Sequence, residues 1–258
     1  MNWMRFTASA VHSQFEPENP LRKKTYLLLL FGSLFTIFYC ANNTTAPNES
    51  PAAVVFLHAP PDTSWIERGI DAVSEGDFIQ LQWLTAAETN ISHYAIYRSQ
   101  QRSGPYQILG TASSSDTLFL DGPLAVNIRF YYYIRAVADD GLSSEPSDTL
   151  DYMLLHKAAG LLPAGIVNNF SDQFSWQDPN LEAFYVIRLL DNVTGFPVWK
   201  ALIASTYSGD RETVDYNFDG TAVLDTLLEN HEYTFRIDVI SATENCGSES
   251  QWSVFKIL

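Results

Sequence analysis

The sequence predicts an all-β chain that folds as two antiparallel β-sandwiches. Residues 130–138 alternate in character: Phe130, Tyr132 and Ile134 fall on one face, and the residues between them are aromatic, charged or β-branched. The same alternation returns at residues 233–239. Each copy follows several short strand-like runs that are separated by turn residues and show no helical period, which is typical of a sandwich.

Length and composition narrow the class of protein. A chain of 258 residues fits one or two domains, and 46% hydrophobic residues with 14% aromatics suffice for a packed core. The formal net charge of −15 repels phosphate backbones, so no nucleic-acid partner is expected. Two cysteines are too few for a disulfide framework or a cysteine metal site.

Residues 1–40 predict an N-terminal hydrophobic signal or anchor segment. Three basic residues at 22–24 precede an apolar run at 25–39, which is short for a membrane span and typical of a signal sequence. The run ends at Cys40, and the polar, proline-containing residues 41–59 that follow predict a tether.

This order resembles bacterial lipoprotein signals, and the resemblance implies lipid attachment at Cys40. Tyr39 stands where that family has a small residue, so an uncleaved membrane helix and plain secretion stay open as alternatives. All three place residues 41–258 outside the cytoplasm, in the bacterial cell envelope, with the membrane as a partner through the N-terminal segment.

The first module is predicted at residues 60–153. Its expected strands are 64–70, 78–83, 94–98, 106–109, 117–121, 130–138 and an edge strand at 143–150.

The order of motifs in this module resembles a bacterial fibronectin type III domain. The motifs are Leu81-Gln82-Trp83, residues 94–98, residues 131–137 and Ser144-Glu145-Pro146-Ser147. The resemblance implies two tandem immunoglobulin-like (fibronectin type III) antiparallel β-sandwiches, with Trp83 in a core. At Phe130 the family often has a tyrosine whose hydroxyl bonds the preceding corner, so no such bond is expected here.

The second module is predicted at residues 160–258 and is a more diverged copy. Its expected strands are 170–176, 183–189, 198–202, 233–239 and 251–255, and Tyr233 takes the corner position. The residues expected to build the two cores are Trp83, Tyr94, Ile96, Tyr132, Ile134, Trp176, Tyr185, Tyr233, Phe235 and Ile237.

One loop resembles the first half of a calcium-binding loop. Asp215, Asn217 and Asp219 offer oxygens at alternate positions before Gly220. The twelfth position of such a loop carries a carboxylate, and here it is Thr226. A polar connection between strands is therefore the favoured interpretation, and a metal site is the alternative.

Three tyrosines, Tyr97, Tyr131 and Tyr133, are expected on the outer face of one sheet, beside Arg98 and Arg135. Exposed tyrosines can stack on sugars or anchor a protein partner. Cross-strand aromatic packing that protects the sheet is the favoured alternative.

The sequence contains neither the catalytic motif of a serine hydrolase or a zinc protease nor a phosphate-binding loop. Neither an enzyme nor a cofactor is therefore predicted. The expected function is a non-catalytic, envelope-anchored binding or spacer module that mediates protein or glycan interactions at the cell surface. The alternative is an accessory subunit or enzyme that acts on carbohydrate in the envelope. A purely structural stalk is favoured if the modules dock rigidly through residues 154–160.

Overall fold

The computed structural model describes residues 49–177, 184–206 and 211–258. The predicted all-β fold is confirmed, since the regular structure of these residues consists of strands. Within the same ranges no helix is long and apolar enough to cross a membrane. The expected signal or anchor at 1–40, with lipid attachment at Cys40, lies outside the described residues.

The first sandwich contains seven strands, which are β1 (Asp71–Val73), β2 (Gly76–Gln82), β3 (Ile91–Ser99), β4 (Gln107–Ser113), β5 (Leu118–Asp121), β6 (Arg129–Ala138) and β7 (Leu150–Leu154). Strands β1, β2 and β5 form one sheet, and β4, β3, β6 and β7 form the facing one. Strand β6 alternates between buried and half-buried positions along its length. Its buried side packs with Trp83, Tyr94 and Ile96 in the core between the sheets.

The first sandwich begins earlier in the chain than residue 60. Val54 is buried in its core, and Phe56 forms a β-bridge with Trp83. The predicted strand at 64–70 is wrong: residues 59–67 form no strand and lie instead against the second sandwich. Alternation at 64–70 is too short to distinguish a strand from an extended segment that is covered from one side.

The second sandwich contains nine strands among the described residues, which are β8 (Ala159–Leu162), β9 (Gly165–Val167), β10 (Gln173–Gln177), β11 (Phe184–Asp191), β12 (Pro197–Ala204), β13 (Glu212–Asp215), β14 (Glu232–Ile240), β15 (Cys246–Glu249) and β16 (Ser253–Ile257). Strands β8, β10 and β13 form one sheet. The facing sheet is built on β11 and β14, and its core side contributes Tyr185, Tyr233, Phe235 and Ile237. Trp176 from β10 lies between the sheets and is fully buried.

The two sandwiches treat the corner position differently. The backbone N–H of Leu228 donates a 2.9 Å hydrogen bond to the Tyr233 hydroxyl, which ties the chain before β14 to that strand. The equivalent residue of the first sandwich, Phe130, has no hydroxyl and is buried, with the Arg98 guanidinium 4.9 Å above its ring. A tyrosine at this position supplies the hydroxyl that accepts the hydrogen bond, and a phenylalanine cannot.

One sheet runs through both sandwiches. Strand β7 of the first pairs in parallel with β15 of the second, which joins their larger sheets into ten strands. The predicted edge strand at 143–150 is regular only at its end: Ser143 forms a single β-bridge with Val137, and the regular strand begins at Leu150, where it has a neighbour on both sides. Leu155 and Ala158, in the predicted linker, are buried in the second core.

Candidate functional site: the joint between the sandwiches

The joint is the set of contacts between the two sandwiches, and its centre is the β7–β15 pairing. The N–H of Met153 donates to the oxygen of Asn245, and the N–H of Leu155 donates to the oxygen of Gly247, both at 3.0 Å. At Gly247 a Cβ atom would stand 2.7 Å from the Val239 oxygen and 3.3 Å from the Tyr152 hydroxyl. Residue 247 must therefore be glycine for β15 to lie this close to β14 of its own sandwich and to Tyr152 of the other.

The linker adds a lysine that binds both sandwiches. The ammonium of Lys157 donates to the backbone oxygens of Val73 and Glu249, each at 2.6 Å. The Ser248 hydroxyl donates to the oxygen of His156 at 3.0 Å. Burial lowers the pKa of Lys157, an effect that nearby carboxylates oppose. A charged donor that satisfies two carbonyls holds the two sandwiches together at this point.

A second connection is the arm, which we define as residues 59–67. It crosses the outer face of the second sandwich, where Arg188 donates to the backbone oxygens of Ser64 and, at 2.8 Å, of Asp62. Lys200 lies 5.1 Å from the ring centre of Trp65, and Arg188 lies 5.7 Å from it. The arm thus places backbone acceptors and an aromatic face over two cations.

Beneath the arm lies a cluster of buried ion pairs. Arg188 and Arg236 are 4% and 3% exposed, yet both point away from the apolar core. The Nε of Arg188 is 2.5 Å from Asp238, and the Nε of Arg236 is 2.8 Å from the same carboxylate. Arg236 also pairs with Glu249 at 2.7 Å and with Glu67 of the arm.

The arginines take the place that a metal ion would need. One oxygen each of Glu67, Asp238 and Glu249 lies within 4.8 Å of the others, which is the only such acidic or histidine group among the described residues. The guanidinium of Arg236 contacts all three carboxylates. Burial lowers the pKa of Arg236, but these neighbours outweigh burial and raise it overall, so the positive charge persists.

Acidic groups exceed the cations at the joint. Asp62, Asp71 and Tyr152 line a chamber of about 20 Å³ between the sandwiches, which has room for about one water molecule. The Tyr152 hydroxyl lies 3.2 Å from the Asp71 carboxylate. Burial, and next the charge of Asp238, raises the pKa of Asp71 to about 7. Burial likewise raises the pKa of Asp62 and of Glu249.

These shifts predict that the folded chain loses stability as the pH rises from acid to neutral. Unfolded Asp71 ionises near pH 3.8, whereas folded Asp71 keeps its proton to about pH 7. The stabilisation from this group is therefore fully present below about pH 4 and is lost as the pH rises through about 7. We expect the free energy of unfolding to fall over this range, and Asp71 contributes at most about 1.4 kcal/mol per pH unit, the limit for one proton. Urea unfolding at a series of pH values measures this slope.

A matched pair of variants tests the origin of the slope. Asp71→Asn removes one of the titrating groups at the joint and should reduce the slope between about pH 4 and 7. Asp148→Asn, at an exposed position, should leave it unchanged. An unaltered slope in Asp71→Asn would show that the pH dependence arises elsewhere.

Two of the three tyrosines of the predicted binding face stack on each other. Tyr97 and Tyr133 are cross-strand neighbours whose rings stack at 4.6 Å between centres, with 17° between their planes. Tyr106 covers Tyr133 further, at 4.9 Å. Tyr131 is half-buried opposite Ser99. Because a stacked sugar needs a free ring face, this arrangement favours cross-strand packing.

Arg98 does not lie beside those tyrosines, contrary to the sequence-based prediction. Arg98 falls on the same face of β3 as Ile96, opposite Tyr132, and its side chain pairs with Asp121 at 2.7 and 2.8 Å. Asp121 is 3% exposed and needs a cationic partner, which explains the position of Arg98. Arg135 does lie on the tyrosine face, 5.9 Å from the ring centre of Tyr133.

The calcium-like loop uses its oxygens internally. Asn217 accepts the N–H of Ala222 at 2.9 Å, and Asp219 accepts the indole N–H of Trp199 at 3.0 Å. Asp215 lies 3.3 Å from the amide of a residue on the neighbouring strand β10. These bonds satisfy the oxygens without a cation, and they favour a polar connection between strands.

Sequence reasoning missed the joint. Arg188, Arg236 and Asp238 occupy alternate positions of β11 and β14, where charged residues predict a face open to solvent. A possible signal was the apolar run that follows Leu150, since an edge strand seldom continues in hydrophobic residues.

The strand order described above gives the described residues an all-β fold of two antiparallel β-sandwiches. No protein-family model matches the chain, and no curated protein matches its sequence.

Solved structures with similar strand arrangements come from several kinds of protein. An Fn3-like protein from Clostridium thermocellum is 23% identical, with 40% of this chain and 92% of that chain covered and a TM-score of 0.31. A two-domain fibronectin type III segment of chicken tenascin is 13% identical, with 80% and 97% covered and a TM-score of 0.30. A beta-1,2-glucanase from Parabacteroides distasonis is 21% identical, with a TM-score of 0.32. The match covers 41% of this chain and 13% of the enzyme. At these TM-scores nothing about ligand, partner or activity follows for this chain.

Proposed function

We propose that the chain is a tandem pair of fibronectin type III-like modules that acts as a non-catalytic spacer and binding unit of fixed shape. The observation that supports this proposal is the set of contacts at the joint. Two sandwiches that merely follow each other need only a linker, whereas these share a sheet and a bridging lysine, and Arg188 and Arg236 of the second sandwich pair with Glu67 of the arm. A joint of this kind sets the distance and orientation between the two ends, which is what a spacer requires.

The proposed location, outside a bacterial membrane, rests on the N-terminal sequence. The basic residues at 22–24, the apolar run at 25–39 and Cys40 suit an anchor that holds the modules outside a bacterial membrane. Lipid attachment at Cys40 or an uncleaved helix would both serve. The proposed partner is another envelope protein or a glycan.

The geometry gives less support to the carbohydrate-enzyme alternative. Glycoside hydrolysis needs two carboxyl groups on either side of a sugar. Asp238 and Glu249 line a chamber of about 20 Å³, which is too small for a sugar ring. Asp62 and Asp71 also line a cavity of about 520 Å³, but burial raises the pKa of both, whereas an acid and a base need environments that separate their pKa values.

Distances between labels on the two sandwiches test the fixed joint. Spin labels carried by unnatural amino acids at the exposed positions Ser115 and Thr226 should give one narrow distance distribution in the full chain. Lys157→Ala removes both bonds of the bridging ammonium and should broaden it. Lys256→Ala, outside the joint, is the control and should not. A broad distribution in the unmodified chain would contradict the proposed function.

A further inference from the structure

A cavity of about 530 Å³ opens at the joint, and both sandwiches contribute to its wall. Gly76 and Asp77 belong to the first sandwich, Lys157 to the linker, and Gln251 and Trp252 to the second. The volume lies within the range of small-molecule sites. Because the joint fixes the two walls relative to each other, the cavity is formed before any ligand arrives.

Trp252 supplies an aromatic surface in this cavity. Its side chain is 37% exposed, which is a large exposed fraction for so apolar a ring. The guanidinium of Arg236 lies 5.1 Å from the ring centre and covers one face. Arg236 is itself held by three carboxylates, so the ring is fixed in position. The face turned away from Arg236 remains for a ligand to stack on.

The polar groups around the ring are mixed in character. Asp77 offers a carboxylate, Gln251 an amide and Lys157 an ammonium, and Asp77 and Gln251 are exposed. In the described part of the chain, no hydrogen bond engages the side chains of Asp77, Gln251 or Trp252. One negative group and one positive group together favour a neutral ligand that has both donors and acceptors.

We propose that this cavity binds a neutral sugar residue of a glycan, which stacks on Trp252 while its hydroxyls meet Asp77, Gln251 and Lys157. A pyranose presents an apolar C–H face to an aromatic ring, and its hydroxyls both donate and accept. This inference rests on the proposed function and deepens it, because it names the chemical class of the partner and the place where it binds.

Indole N–H resonances of the full chain in ¹H–¹⁵N spectra test the site. The probes are four neutral disaccharides: maltose, lactose, cellobiose and N,N′-diacetylchitobiose. At least one of them should shift the Trp252 indole signal saturably, with a dissociation constant on the order of 1 mM. The proposal is overturned if none of the four disaccharides shifts this signal. It is also overturned if the signal responds to the cation spermidine or the anion citrate and to none of the sugars.

Two variants and a matched control assign the binding to this cavity. Trp252→Ala should abolish the binding, and Asp77→Ala, on the other sandwich, should weaken it at least about threefold. Phe196→Ala is the control, since Phe196 is an aromatic residue that is 71% exposed and lies outside both the joint and the cavity. Equal binding by Trp252→Ala and the unmodified chain would overturn the proposal. The label distances test the fixed joint separately, so a rigid joint without sugar binding would remove this inference and leave the proposed function standing.

Discussion

Replacing Arg236 with methionine is expected to lower the free energy of unfolding by about 3–5 kcal/mol, the usual cost of removing one partner from a buried ion pair. Arg236 is 3% exposed, and its guanidinium contacts the carboxylates of Glu67, Asp238 and Glu249. Methionine fills similar space but leaves these carboxylates close together with less compensating charge. Urea unfolding of the full chain measures the difference.

Arg102→Met separates this effect from the loss of any surface charge. Arg102 is 72% exposed and lies 3.9 Å from Asp151, so its pairing should contribute under about 1 kcal/mol. If Arg236→Met and Arg102→Met cost the same, the buried cluster does not stabilise the joint. The position of the arm gives a second measurement: without Arg236, Glu67 loses a partner, and amides of residues 59–67 should exchange hydrogen faster.

The β-sandwich class was predictable because its signals are local. Alternation along Phe130, Tyr132, Ile134 and Ala136 needs only the period of a strand, and all four side chains are buried. The same holds for Tyr233, which is fully buried. Strand pairing between neighbours then follows from turn chemistry and short connections.

The joint could not be predicted because its contacts are distant in sequence and obey no period. Arg188 meets the backbone of Asp62 across 126 residues of chain, and Arg236 meets Glu67 across 169. A charged residue on the outer side of a strand looks the same in sequence whether solvent or another segment covers it. Only the pairing of β7 with β15 brings the arm over that face.

The same limit applies to the aromatic residues. Tyr97 and Tyr133 lie on one sheet and stack on each other, the cross-strand packing that the sequence already favoured. Trp252 received no functional interpretation, because its surroundings come from Asp77 and Lys157, which are remote in sequence. A binding surface made by two modules is visible only once their docking is known.

Replacing either core tryptophan with alanine is expected to cost about 3–5 kcal/mol, as for other large-to-small changes in well-packed cores. Trp83 and Trp176 are 1% and 0% exposed, and each packs edge-on against a tyrosine, at 5.3 Å from Tyr94 and 5.1 Å from Tyr185. The indole N–H of each tryptophan is buried without a hydrogen-bond partner among the described residues. Replacement by phenylalanine should therefore cost clearly less than replacement by alanine, because it shrinks the ring but breaks no hydrogen bond.

The same variants report on the joint. If the shared sheet and the buried ion pairs couple the two sandwiches, Trp83→Ala should shift a single cooperative transition that includes the second sandwich, although Trp83 lies only in the first core. Hydrogen exchange resolved by residue measures this, with amides of β14 as reporters of the second sandwich. Faster exchange confined to β1–β7 would mean that the sandwiches unfold independently, and that the joint orients them without stabilising them. If the free energy of opening that exchange reports falls by the same amount in both sandwiches, the two sandwiches fold and dock as one cooperative unit.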